Sequence, residues 1–171
     1  MAVFVANSAD PKVFVTIGTC YSSCEGFKGS CPVGTSNGYD GQYAYYIARD
    51  PANAAPCQDV AAYRYQRILL PILGWLLAVG VENWIPLAFV VINLTALVGS
   101  TALLERLLIE QGVSRWYALV YGLFVGVFMG VRLSTTEPLA YGLVIAAIWF
   151  GGAGGPGRKP QPSPWRPWRK S

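Results

Sequence analysis

The run "NWIPLAFVVINLTALVGSTALL", residues 83–104, carries no charged side chain between Glu82 and Glu105. A helix needs roughly 17–25 apolar residues to cross the hydrocarbon core of a bilayer, and this run is long enough. Trp84 stands at one end, where an amphipathic ring suits the headgroup level. Pro86 falls in the first helical turn, where its missing N–H costs nothing. The bulk composition agrees. Hydrophobic residues make up 53% of the 171 and charged residues 13%, against roughly 25% charged in soluble domains. The fold class these features predict is all-α: a polytopic helical membrane protein with an extracytoplasmic, cysteine-containing loop region.

Downstream, "WYALVYGLFVGVFMGV" (116–131) lies between Arg115 and Arg132 and reads as a second span. Trp116 and Tyr117 anchor one end, and the flanking arginines can snorkel to the interface. Gly122, Gly126 and Gly130 recur every four residues, which predicts a flat helix face that takes a close helical neighbour. A third span, "PLAYGLVIAAIWFGG" (138–152), follows Glu137 and dissolves into glycines. Upstream, "YRYQRILLPILGWLLAVG" (63–80) has only fourteen uncharged residues from Ile68 to Val81, and Pro71 interrupts it. That length fits an interfacial or re-entrant helix better than a full crossing. Four regions follow: an extracytoplasmic loop region with a juxtamembrane helix (1–62), an interfacial or membrane helix (63–82), transmembrane helices (83–152) and a tail (153–171).

Lysine and arginine bias orients the chain. With 63–80 at the outer surface of a plasma or inner membrane, Arg106 and Arg115 lie in the cytoplasm and "RLSTTEP" (132–138) outside. Residues 153–171 then form a disordered basic cytoplasmic tail. A full crossing by 63–80 would send that tail outside. Residues 158–171 hold five of the thirteen basic residues and no acid, so the +4 net charge comes from one short segment and gives no argument for nucleic acid.

Cys20, Cys24, Cys31 and Cys57 all precede the apolar runs. The chain contains no histidine and no Cys-x-x-Cys pair, which disfavours zinc. Disulfides in an oxidising compartment suit the pattern, and sequence leaves all three pairings open. "MAVFVANSADPK" (1–12) lacks the basic start and full apolar run of a secretory signal.

Several charged residues fall on the predicted outer side. Asp40 sits in "NGYDGQYAYYIARDP" (37–51), Arg64 and Arg67 open the 63–80 segment, and Arg132 and Glu137 bracket "LSTT". Arg64 and Arg67 are three apart and point the same way on a helix. Paired guanidiniums suit a phosphate or diphosphate, because their forks match its oxygens. Ordinary lipid headgroups would satisfy them equally. Glu137, directly before Pro138, also fits a first-turn charge favourable to the helix dipole. Tyr43, Tyr45 and Tyr46 also fit as interfacial anchors.

"GYDGQYAYYIARDP", then "AYRYQRILLPILGWLLA", then "STTEPLAYGLV" together resemble the amino-terminal part of polytopic GT-C superfamily glycosyltransferases. The similarity is nearest to bacterial mannosyltransferase-like membrane proteins and more distant to the second mannosyltransferase of GPI-anchor assembly. It spans residues 38–142, with three motifs in the family's order. The resemblance implies transfer of a sugar from a polyprenyl-phosphate-sugar donor to the hydroxyl of an unidentified acceptor on the extracytoplasmic face. By its implication Asp40 is the catalytic base, and Arg64 and Arg67 stabilise the departing phosphate. Arg132 and Glu137 shape the opposite wall, and Tyr39, Gln42 and Tyr43 contact sugar hydroxyls. The resemblance fixes no cofactor; it leaves room for a divalent metal, for which this sequence offers no dedicated ligand cluster.

The family's enzymes are longer and have more spans. The expectation is therefore an amino-terminal fragment, with a composition break near Phe150 of the kind a frameshift or truncation produces. A second membrane chain would complete the glycine face. Two other classes stand beside this one: a non-catalytic membrane subunit or scaffold, and a small membrane protein whose disulfide-bonded outer loop binds a ligand.

Overall fold

Apolar periodicity with no alternating stretch leaves little material for a sheet, and the computed structural model contains none among the residues it describes, 10–21 and 34–153. The α-helices are α1 (Gly41–Arg49), α2 (Ala61–Tyr65), α3 (Leu69–Leu77), α4 (Ile85–Glu110), α5 (Ala118–Gly122), α6 (Val125–Arg132) and α7 (Glu137–Ile148). Short 3-10 turns link several of them, and a π turn, Trp149–Ala153, extends α7. The all-α expectation holds.

Helix α4 is the axis of the molecule. Its 26 residues rise about 39 Å at roughly 1.5 Å each. Pro86 occupies its first turn, as read from sequence, and Gly112 (φ +71°) follows its C-terminus in the left-handed conformation that ends many helices. With the turn before it, Glu82–Glu110 is long and apolar enough to cross a membrane. One face, Ile85, Phe89, Asn93, Leu97 and Ser100, is buried. The other presents Leu87, Val91, Leu94 and Val98 to the outside.

The buried face organises two apolar clusters. Around its first two turns α1 and α3 pack with Tyr43, Tyr45, Ile47, Leu70, Ile85 and Phe89 at the centre. Gly74 of α3 makes this contact: a Cβ there would fall 2.1 Å from Phe89 Cε1. Farther along, Leu97 meets Val127 and Val131 of α6. Helix α7 lies along the remaining flank, with Gly142 against Ala96.

The 63–80 segment divides into α2 and α3, and α3 has nine residues, about 14 Å at roughly 1.5 Å each, too short to cross. Leu69, Ile72, Trp75 and Leu76 remain exposed on it. The expected second span is not one helix. Leu123 closes α5 by donating its N–H to Leu119 O, Phe124 turns extended (ψ 119°), and α6 starts anew. Three glycines in nine residues each weaken helix by about 1 kcal/mol relative to alanine, which helps the break form. The break also disperses the predicted glycine face. Gly122 abuts Thr101, Gly126 the ring of Phe124, and Gly130 the side chains of Thr135 and Pro138. The third apolar run forms α7, twelve residues and its π turn, shorter than a full crossing. One helix among the described residues therefore reaches spanning length. The tail from residue 154 lies outside them, as do residues 1–9 and 22–33.

Candidate functional site

The "GYDGQ" stretch is built first as a joint. Gly38 takes a left-handed conformation (φ +66°) and packs against the backbone of Thr16 and Gly18, where any Cβ would clash. Thr16 O accepts from Tyr39 N. Gln42 is fully buried; its Oε1 accepts from Gly18 N at 2.9 Å and its Nε2 donates to Asn37 O at 2.6 Å. Gly41 lets α1 reach a distant turn: a Cβ there would sit 2.2 Å from Leu133 O.

That turn is the C-cap of α6. Leu133 N donates to Met129 O and Thr135 N to Gly130 O, with Ser134 left-handed (φ +53°) and buried between them. Asn93, buried on α4, donates its amide to Thr135 O at 2.8 Å. The turn is thus pinned from α1 and from α4, and it delivers Thr136 and Glu137 to the arginines.

Arg64 of α2 lies between two acids. Its Nε and Nη2 fork onto the two carboxylate oxygens of Asp59 at 2.7 and 2.8 Å, and its Nη1 reaches Asp40 Oδ2 at 2.9 Å. The guanidinium stacks over the Tyr43 ring, 4.2 Å from its centroid. Asp59 also accepts from Val60 N at 2.7 Å. Arg67 donates to Glu137 Oε1 at 3.0 Å and to Thr136 Oγ1 at 3.3 Å, and hydrogen-bonds the Tyr63 hydroxyl. The Arg64 fork holds the Asp59 carboxyl below its ordinary range, and Asp59 in turn pushes the Arg64 guanidinium further up. Burial, with a hydrogen bond to Tyr21, pushes the Tyr43 hydroxyl up.

Asp40, Tyr43, Arg64, Arg67, Pro71 and Thr136 line a cavity of about 20 Å³, room for about one water. An apolar groove of about 350 Å³ adjoins it. Ile47 and Pro71 line both, and Ile68, Ile72, Trp75 and Leu76 continue the groove.

Asp40, Arg64, Arg67 and Glu137 therefore converge, although Asp40 and Glu137 are almost a hundred residues apart. Arg132 does not join them. It lines a separate cavity with Asp10, Lys12, Thr16 and Leu133, because the α6 cap turns the chain between it and Glu137. Of the expected sugar contacts, Gln42 is consumed by the loop joint, whereas Tyr43 lies largely buried beneath Arg64 and still lines the cavity. Tyr39 stays exposed. Tyr45 and Tyr46 are core residues rather than interfacial anchors, donating to Glu82 Oε1 and Tyr21 O, each at 2.7 Å. Glu82 also pairs with Arg49 (3.2 Å) and Lys12 (3.8 Å).

Asp59, Tyr63 and Thr136 were not singled out from sequence. "DVAAYR" carried a signal for the first, an acid just ahead of a short helix with an arginine one turn inside it. Cys20 and Cys57 are disulfide-bonded, whereas Cys24 and Cys31 lie outside the described residues. A divalent metal does not fit the cluster, because Asp40 and Asp59 turn their oxygens to Arg64 and Glu137 turns to Arg67. No protein-family model, curated protein or solved structure matches this chain.

Proposed function

We propose that the Asp40, Arg64, Arg67 and Glu137 cluster is the donor site of a membrane glycosyltransferase of the GT-C kind, acting on a polyprenyl-phosphate sugar. One observation carries the reading. Three separated motifs, drawn together by sequence resemblance alone, meet around a single cavity. In this reading the two guanidiniums take the donor phosphate, the adjoining apolar groove takes the first prenyl units, and Asp40 accepts the proton of the attacking hydroxyl. The disulfide-bonded cysteines favour the extracytoplasmic side of a plasma or inner membrane. The exposed apolar faces of α4, α5, α6 and α7 favour a multi-element membrane domain, with a second membrane chain as a candidate neighbour.

A second reading has its own support. Both arginines are already paired with carboxylates and the cavity holds about one water, as in a purely structural ion-pair framework. The protein would then be a non-catalytic subunit. Transfer from a polyprenyl-phosphate sugar, measured on membranes of native cells carrying the full chain, separates the two. The transferase reading expects Asp40→Asn to cut the rate about 100-fold or more at unchanged protein level. An unaltered rate removes it in favour of the framework.

A further inference from the structure

Arg64 faces two carboxylates that are not equivalent. Asp59 is held by three hydrogen bonds, two from the Arg64 fork and one from Val60 N–H. Asp40 has one contact to Arg64. It stands at the start of α1 without a side-chain bond to that helix, and half its side chain is exposed against 30% for Asp59. The Tyr43 ring lies beneath the guanidinium, and with Nε and Nη2 spent on Asp59, Nη1 is the nitrogen turned to Asp40, itself a cavity-lining residue.

The charges make the difference matter. Two guanidiniums meet three carboxylates, Asp40, Asp59 and Glu137, so the closed cluster is negative before any ligand arrives. An anion is repelled by that balance and has about one water's room. Space and charge are both relieved if one carboxylate leaves; Asp40 and Glu137 each have one bond, and of the two Asp40 is the one that lines the cavity and shares Arg64 with Asp59.

We propose that Asp59 is a positioning residue and Asp40 an exchangeable one: an incoming phosphate takes the Arg64 Nη1 proton donor from Asp40 and thereby releases the Asp40 carboxylate toward the acceptor. The inference rests on the donor-site reading above. It adds that phosphate binding and exposure of the base are one event. No covalent bond changes in this step; a carboxylate–guanidinium pair is exchanged for a phosphate–guanidinium pair. A donor lacking its phosphate leaves Asp40 paired.

The test is binding of decyl phosphate and of inorganic phosphate to the purified full chain in uncharged detergent at low salt. Asp40→Asn, exposed and able to fold, should bind decyl phosphate about tenfold more tightly than wild type, the effect of removing one competing charged hydrogen bond. Asp59→Asn should gain nothing or lose affinity, and Asp59→Glu should restore part of the loss. Net charge alone would make both asparagine variants bind more tightly by equal factors; that result overturns the assignment of Asp59 while leaving the donor site standing. Binding by neither wild type nor Asp40→Asn overturns the donor site itself, and the exchange with it. Tighter binding confined to decyl phosphate identifies a lipid phosphate, and an equal gain with inorganic phosphate identifies a free anion; either supports the exchange. If Asp59→Asn fails to fold, as judged by size exclusion, the Asp40→Asn comparison decides alone: unchanged or weaker binding overturns the proposal.

Discussion

The first two turns of α4 and the stretch that follows are equally free of charge in sequence up to Leu104, yet the molecule treats them differently. Ile85, Ala88 and Phe89 are enclosed by α1 and α3, with Gly74 shaped to admit the Phe89 ring. Beyond Asn93 the same helix keeps only a narrow buried seam and leaves Leu94 and Val98 outside. Composition sets whether a helix forms; the size and spacing of its neighbours set how much of it is covered. In water the exposed stretch would be a liability, and in a bilayer it is the expected surface.

Substitutions at matched apolar positions sharpen this contrast. Phe89→Ala, at a ring with no exposed surface, should cost about 3–5 kcal/mol, read as lost thermal stability of the solubilised protein. A small change would mean that the first two turns are no better packed than the rest. Val98→Lys is the complementary probe. On a lipid-facing helix centre lysine costs about 2.5–3.5 kcal/mol of insertion, whereas on a water-exposed surface the effect stays within about 0.5 kcal/mol. Reduced membrane insertion with normal stability in detergent places the face in lipid; unimpaired insertion breaks the contrast. The smallest effect concerns charge. The Asp59 carboxyl is depressed in the folded state, so its stabilisation is present above the ordinary aspartate value of about 3.9 and disappears as pH falls through the lower folded value. The stability difference between wild type and Asp59→Asn should therefore be constant near neutrality and close on acidification. With 30% of the Asp59 side chain still open to solvent screening, the gap should be on the order of 1 kcal/mol. A gap that widens in acid would remove Arg64 as the cause.

Much of this was legible in the residues. The charge-free run at 83–104 announces α4, and Pro86 marks its first turn. Arg64 and Arg67, three apart, do face one cavity. The break at Leu123–Phe124 was not legible, because no proline or charge marks it and it arises where α5 ends against Thr101. Gln42 illustrates the same limit. A polar side chain beside a candidate acid reads as a ligand contact, and only tertiary structure shows both ends of its amide spent on Asn37 and Gly18. Arg132 was grouped with Glu137 by proximity in sequence, which a helix cap between them undoes.

Gly41 against Leu133 O has a consequence for when the cluster can exist. The two backbones touch only because Gly41 has no side chain, and 91 residues separate them in the chain. Arg67 likewise waits for a partner 70 positions later. At about 5–20 residues per second, several seconds of synthesis pass between the emergence of Asp40 and that of Glu137. During that interval α4 has to be made and placed before the Arg67–Glu137 pair can close. The cluster is therefore completed late in biogenesis, by a correctly assembled chain, rather than being a property its first segment carries from the start.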